Sequence, residues 1–126
     1  MKAKILLVED NTESRYLFSY ILKREGCDVV QATNGKHAIE LADGMVPDLI
    51  IMDIQMPELD GYETATIMRK RPKLARVPIV GLSAFAMASD REKAFQNGFT
   101  GYIEKPIELA TFVQEISAYL PSPAKP

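Results

Sequence analysis

Three acidic residues stand where two apolar runs end. Glu9 and Asp10 follow Ile5-Leu6-Leu7-Val8, and Asp53 follows Leu49-Ile50-Ile51-Met52. Short aliphatic runs of this kind read as strands buried on both faces, the strands of parallel sheets. In an open α/β sheet the ligand crevice lies beyond the carboxyl ends of the strands. If the two runs are neighbours, three carboxylates converge there and repel one another, which calls for a cation. Hard carboxylates suit Mg2+, which keeps waters and bridges readily to phosphoryl oxygens. Two further groups belong to the same rim: Ser83, ending a fourth apolar run, and Lys105, shortly after a fifth. A hydroxyl and an ammonium there can hold the remaining oxygens of a transferred phosphoryl group. Asp53, at the centre of the set, is the best nucleophile candidate.

The elements that must position these groups alternate between strand-like and helix-like about five times. The first strand spans Lys4–Val8, and a helix follows from Thr12 to Glu25, with Asn11 or Thr12 as cap and Gly26 as stop. Asp28–Gln31 is a short second strand. Asn34-Gly35 opens a helix with Ala38, Leu41 and Ala42 on one face, ending near Gly44 and Pro47. Leu49–Met52 is the third strand. Asp60, with Glu63 three residues on, caps the next helix, which Pro72 ends. Pro78–Leu82 is the fourth strand, Asp90–Asn97 a helix closed by Gly98, and Gly101–Ile103 the fifth strand. The last helix is expected from Pro106 or just after, with Leu109, Phe112, Val113, Ile116 and Leu120 as its apolar stripe. Alternation of this kind implies right-handed crossovers and a parallel sheet covered on both faces. Five units fit an open doubly wound sheet; a barrel needs about eight strands and ~250 residues. Residues 1–120 read as one domain and 121–126, rich in proline, as a disordered tail.

The chain has 126 residues, 47% of them hydrophobic, a length sufficient for one core. Charged residues make up 25% and the formal net charge is −2, which argues against nucleic-acid binding. The local basic run Arg69-Lys70-Arg71, with Lys73 and Arg76, reads as a helix end and a solvated turn around Pro72. Cys27 is the single cysteine and reads as a small apolar residue entering a strand. No segment is long and apolar enough to span a membrane, so a soluble cytoplasmic protein is the expectation. His37, on a helix far in sequence from the acids, reads as solvated.

Taken together, Glu9-Asp10-Asn11, Asp53-Ile54-Gln55-Met56-Pro57, Asp60-Gly61, Ser83-Ala84 and Lys105-Pro106 resemble the receiver domain of two-component response regulators. The likeness spans nearly the whole chain. It is strongest to single-domain, DivK- and CheY-like members and to receivers of hybrid kinases, through Leu82–Met87 and Tyr102–Ile107. The resemblance implies a flavodoxin-like five-stranded parallel sheet in the order 2-1-3-4-5, with helices on both faces. It implies that Asp53 accepts a phosphoryl group from a phosphohistidine on a histidine kinase or phosphotransfer protein. Glu9, Asp10, Asp53 and the backbone carbonyl of Gln55 would hold Mg2+, with Asp10 the more direct ligand. Lys105 would pair with a phosphoryl oxygen, and its bond to Pro106 would be cis. Ser83 and Tyr102 would be the switch pair, the ring packing inward as the Ser83–Met87 loop moves; from the residues alone Tyr102 also reads as a half-buried edge-strand aromatic. Phe85 and Met87 read equally as lid residues and as partner contacts. The output would be a protein-binding surface on the fourth helix, fifth strand and last helix, in a monomer or weak homodimer. The same resemblance implies a signalling domain with intrinsic phosphotransfer and autodephosphorylation activity. Two other classes fit less well. An aspartyl phosphohydrolase of haloacid-dehalogenase type would carry an acid where Gln55 stands, and a flavin carrier would not place Glu9 and Asp10 in its phosphate loop.

Overall fold

The computed structural model describes residues 3–84 and 88–120. The expectations for Phe85, Met87 and the 121–126 tail lie outside the described residues. The elements run β1 (Lys4–Val8), α1 (Thr12–Arg24), β2 (Asp28–Ala32), α2 (Gly35–Asp43), β3 (Leu49–Asp53), α3 (Gly61–Arg69), β4 (Ile79–Ser83), α4 (Ala88–Gln96), β5 (Gly101–Glu104) and α5 (Leu109–Ser117). A 3-10 turn, Pro72–Leu74, leads from α3 towards β4. The strands form one parallel sheet in the order β2-β1-β3-β4-β5.

The strand sequences explain why the sheet sits in the middle. Every residue of β3 and β4 is buried, as expected where helices cover both faces. Alternate side chains feed two cores. Leu6, Val8, Ile50, Met52 and Ile79 pack with α2, α3 and α4, through Ala38, Ala42, Ala65, Met68 and Ala94. Ile5, Leu7, Leu49, Ile51, Val80 and Leu82 pack with α1 and α5, through Phe18, Leu22, Phe112 and Ile116. Phe18 and Phe112 stack with ring centroids 5.0 Å apart, locking α1 against α5. At about 1.5–3 kcal/mol per fully buried large aliphatic side chain, these strands supply much of the driving force for folding.

The helix starts obey local rules. Asn11 accepts from the Ser14 N–H and Asn34 from the His37 N–H, each at 2.8 Å, and Asp60 and Glu63 complete a reciprocal capping box. Gly26, at φ +90°, ends α1: its N–H bonds to the Lys23 carbonyl and that of Cys27 to the Leu22 carbonyl, the paired closure that left-handed glycine permits.

Some boundaries differ from the sequence-based expectation. β2 runs on to Ala32 because Ala32 pairs with Val8 at the end of β1. β3 includes Asp53, which pairs with Leu82. β5 reaches Glu104, opposite Ser83. The last helix begins at Leu109, shortly after Pro106; Glu108 is its cap, its carbonyl accepting from the Phe112 N–H at 2.9 Å. Leu109 therefore sits in the first turn, 43% exposed, and the fully buried stripe contracts to Phe112 and Ile116. Arg69 closes α3, the helix end the basic run marked, and is half-buried: its guanidinium donates to the carbonyls of Gly98 (2.9 Å), Leu74 (2.8 Å), Val77 (2.7 Å) and Ala75 (3.3 Å), tying the end of α3 to the turns before β4 and β5. His37, half-exposed, helps close the start of α2, its Nδ1 accepting from the Thr33 N–H at 3.2 Å.

Candidate functional site

Parallel pairing puts the ends of β1, β3, β4 and β5 on one rim. Asp53 ends β3, the central strand, and is only 3% exposed. Its Oδ1 accepts from the Gln55 N–H at 3.1 Å, and its Oδ2 lies 3.4 Å from the Lys105 ammonium. The chain then turns tightly, with the Gly61 N–H donating to the Ile54 carbonyl at 2.9 Å. A Cβ on Gly61 would meet the Ile54 Cα at 2.7 Å and the Asp53 carbonyl at 2.9 Å, so only glycine admits this approach of α3 to the end of β3.

Glu9, one residue past β1, is fully buried. Its Oε2 accepts from the Asn11 N–H at 3.2 Å, and its backbone carbonyl accepts from Arg15 at 3.0 Å. Its Oε1 is buried without a hydrogen-bond partner among the described residues; the nearest cation is Lys105 at 4.0 Å. Asp10 is exposed at the lip. One carboxylate oxygen from each of Glu9, Asp10 and Asp53 falls within 4.8 Å of the others. Burial, and after it the Asp53 charge, lifts the Glu9 pKa to about 7, outweighing the Asn11 N–H and Lys105. Burial also raises that of Asp53, against the pull of Lys105.

Ser83 ends β4 fully buried, and its carbonyl accepts from the Lys105 N–H at 2.7 Å, so the β4–β5 pairing itself delivers Lys105 to the rim. The Lys105–Pro106 peptide is cis, as the resemblance implied. Tyr102 pairs with Gly81, two positions before Ser83 on β4, and lies outside the acidic cluster. Its ring is not half-buried but 7% exposed, packed on the α2–α3–α4 side of the sheet. The Arg91 guanidinium covers the ring 5.3 Å from its centroid and reaches Glu104 at 3.9 Å, which accounts for the closure.

The structure thus brings Glu9, Asp10, Asp53, Gln55, Ser83 and Lys105 together and sets Tyr102 behind them. The sequence reading did not anticipate the Gln55 side chain. Its Nε2 donates to the Ser83 Oγ at 2.9 Å and its Oε1 accepts from the Ala84 N–H at 3.2 Å. The only available signal was its place two residues beyond Asp53. An all-oxygen donor set with a buried, unpartnered carboxylate oxygen suits a hard divalent cation, and a lysine beside Asp53 suits an anionic group entering from solvent.

Comparisons with known proteins agree with this chemistry. A family model described as the response regulator receiver domain matches residues 5–117. The chain is 37% identical over 120 residues to the polar-differentiation response regulator DivK of Brucella anthropi, covering 95% of this chain and 98% of that protein. Its fold is similar to the Vibrio cholerae chemotaxis protein CheY4, with a TM-score of 0.92 and 28% identity over 95% of this chain and all of that one. It is also similar to the receiver domain of the sensor histidine kinase PA1611 of Pseudomonas aeruginosa, with a TM-score of 0.86 and 33% identity over 94% of this chain and 98% of that one. That domain was crystallised with a magnesium ion coordinated in its active-site cleft.

Proposed function

The chain belongs to the response-regulator receiver family, and on that premise we propose that Asp53 is its phosphoacceptor. The observation that carries this reading is the Asp53 carboxylate, 3% exposed, with carboxylate oxygens of Glu9 and Asp10 within 4.8 Å and the Lys105 ammonium at 3.4 Å. Glu9, Asp10, Asp53 and the Gln55 backbone carbonyl are the groups that would hold Mg2+; the unpartnered Glu9 Oε1 supports that fit. When bound, the ion supplies charge neutralisation on the phosphoryl oxygens. The donor is a phosphohistidine of a histidine kinase or phosphotransfer protein. An Asp53 oxygen attacks phosphorus in line, the N–P bond breaks as the O–P bond forms, and the imidazole nitrogen keeps the electron pair. Lys105 pairs with a phosphoryl oxygen. Water later hydrolyses the acyl phosphate, returning Asp53.

The new group carries about −1.5 to −2 charge among carboxylates. It draws the Ser83 hydroxyl towards Asp53 and favours conformations with Tyr102 packed inward. Because the ring already lies inward, the response is a redistribution of conformations and not a rebuilt core. The surface it biases is that of α4, β5 and α5, where Phe95 (48%) and Leu109 (43%) leave apolar area for a downstream protein. Residues 1–120 form this single module, working in the cytoplasm as a monomer or weak homodimer. Among the described residues no helix is long and apolar enough to cross a membrane.

The test is labelling with acetyl phosphate in Mg2+, read on a phosphate-affinity gel and by intact mass. The wild type gains one phosphoryl group, and Asp53→Asn or chelation of the ion abolishes the gain. Stoichiometric labelling of Asp53→Asn at the wild-type rate refutes the assignment.

A further inference from the structure

Among the described residues the Gln55 side chain makes two hydrogen bonds, one to Ser83 at the end of β4 and one to Ala84, the next residue. Their direction is forced. A backbone N–H can only donate, so the carboxamide oxygen must face Ala84, leaving the NH2 for the Ser83 Oγ. The backbone N–H of the same residue is bonded to Asp53 Oδ1. Gln55 therefore bridges the proposed phosphoacceptor and two polar groups at and just past the end of the neighbouring strand: Asp53 pairs with Leu82, and Ser83 and Ala84 are the next two residues. The Ala84 N–H carries one proton. While that proton is bonded to Gln55 it cannot serve an oxygen of a group on Asp53.

We propose that Gln55 is a positioning residue that acts as a latch on the switch. Its carboxamide holds the Ser83–Ala84 corner in the resting arrangement, and a phosphoryl group on Asp53 must displace it to recruit the Ala84 N–H and turn Ser83. The latch sets the ratio of resting to active conformations before any phosphoryl group arrives, and so sets how tightly the site holds one. This rests on Asp53 being the phosphoacceptor.

The test uses Gln55→Leu, which keeps the bulk and the backbone carbonyl and removes both side-chain bonds; Gln55→Ala repeats it without the branched end. Beryllium fluoride serves as the phosphoryl mimic, its affinity measured by calorimetry in saturating Mg2+. Loss of two modest hydrogen bonds that favour only the resting form tightens binding about 10-fold. In a Ser83→Ala background the gain falls to about threefold, because only the Ala84 bond is left to lose. Amide exchange of Ala84, an exposed residue, reads the latch without any phosphoryl mimic: it is slowed in the wild type and accelerates about 10-fold in Gln55→Leu. Unchanged Ala84 exchange overturns the latch, as does beryllium fluoride affinity that is equal or weaker in Gln55→Leu. A parallel change in Mg2+ affinity also overturns it, since Gln55 would then be acting through the metal. A wild type that binds no beryllium fluoride, yet whose Ala84 exchange responds to Gln55→Leu, would sink the phosphoacceptor reading and leave the resting contact standing.

Discussion

Replacing Glu9 with glutamine should flatten the pH dependence of stability in the metal-free protein. Glu9 is fully buried, has an oxygen without a hydrogen-bond partner, and has its pKa raised from 4.5 to about 7. Below pH 4.5 both folded and unfolded chains carry the proton, and the contribution to stability is fully present. Between 4.5 and about 7 the folded state keeps a proton that the unfolded state releases, so stability declines as pH rises. Above about 7 the carboxylate is ionised in both states and the loss is complete. At 1.36 kcal/mol per pH unit over that window, the loss is about 3 kcal/mol, a large fraction of a typical domain's 5–15. The assay is urea unfolding in EDTA at about pH 5 and about pH 8. Glutamine retains the acceptor for the Asn11 N–H and can donate to Asp53, so Glu9→Gln should be the more stable protein at the higher pH. Taking wild type against variant cancels the remaining titrations, apart from Asp53, whose raised pKa acts in the same direction. Mg2+ at about 100 times its Kd should return about 2.7 kcal/mol to the wild type at the higher pH. A stability difference between the two proteins that stays constant within about 0.5 kcal/mol from pH 5 to pH 8 refutes the reasoning, because Glu9 would then carry no unusual proton.

Two further outcomes follow from packing. Gly61→Ala drives a methyl into the Ile54 Cα and the Asp53 carbonyl, and should cost about 1–3 kcal/mol in urea unfolding while slowing acetyl phosphate labelling. Arg69→Ala removes a donor from four carbonyls and should cost about 2–4 kcal/mol in thermal unfolding; Arg69→Lys should recover little, because one ammonium cannot reproduce the fork.

What could be read beforehand was whatever depends on local pattern. Aliphatic runs with no polar alternation marked β1 and β3 as buried on both faces, and the acids closing them followed from strand direction. Asn11, Asn34 and Asp60 announced their helices because capping is a short-range hydrogen bond. Tertiary pairing decided the rest. The true start of α5 at Leu109 depends on how the chain leaves β5, which a stripe spaced from Pro106 does not encode. A basic run looks the same whether its arginine meets water or four carbonyls, and Arg69 meets carbonyls only because the turns after α4 and before β4 converge on it. Tyr102 was expected half-buried because an edge strand usually leaves one flank open; Arg91, from a different helix, closes it. The Gln55 bridge joins β3 to β4 through a side chain 28 residues from its partner, a distance over which a single sequence carries no pattern.

The site is assembled from four strands that leave the sheet at four separate points along the chain, and no contiguous fragment holds enough of it to work. A chain that stops before Lys105 leaves Asp53 without the ammonium that lies 3.4 Å from its Oδ2.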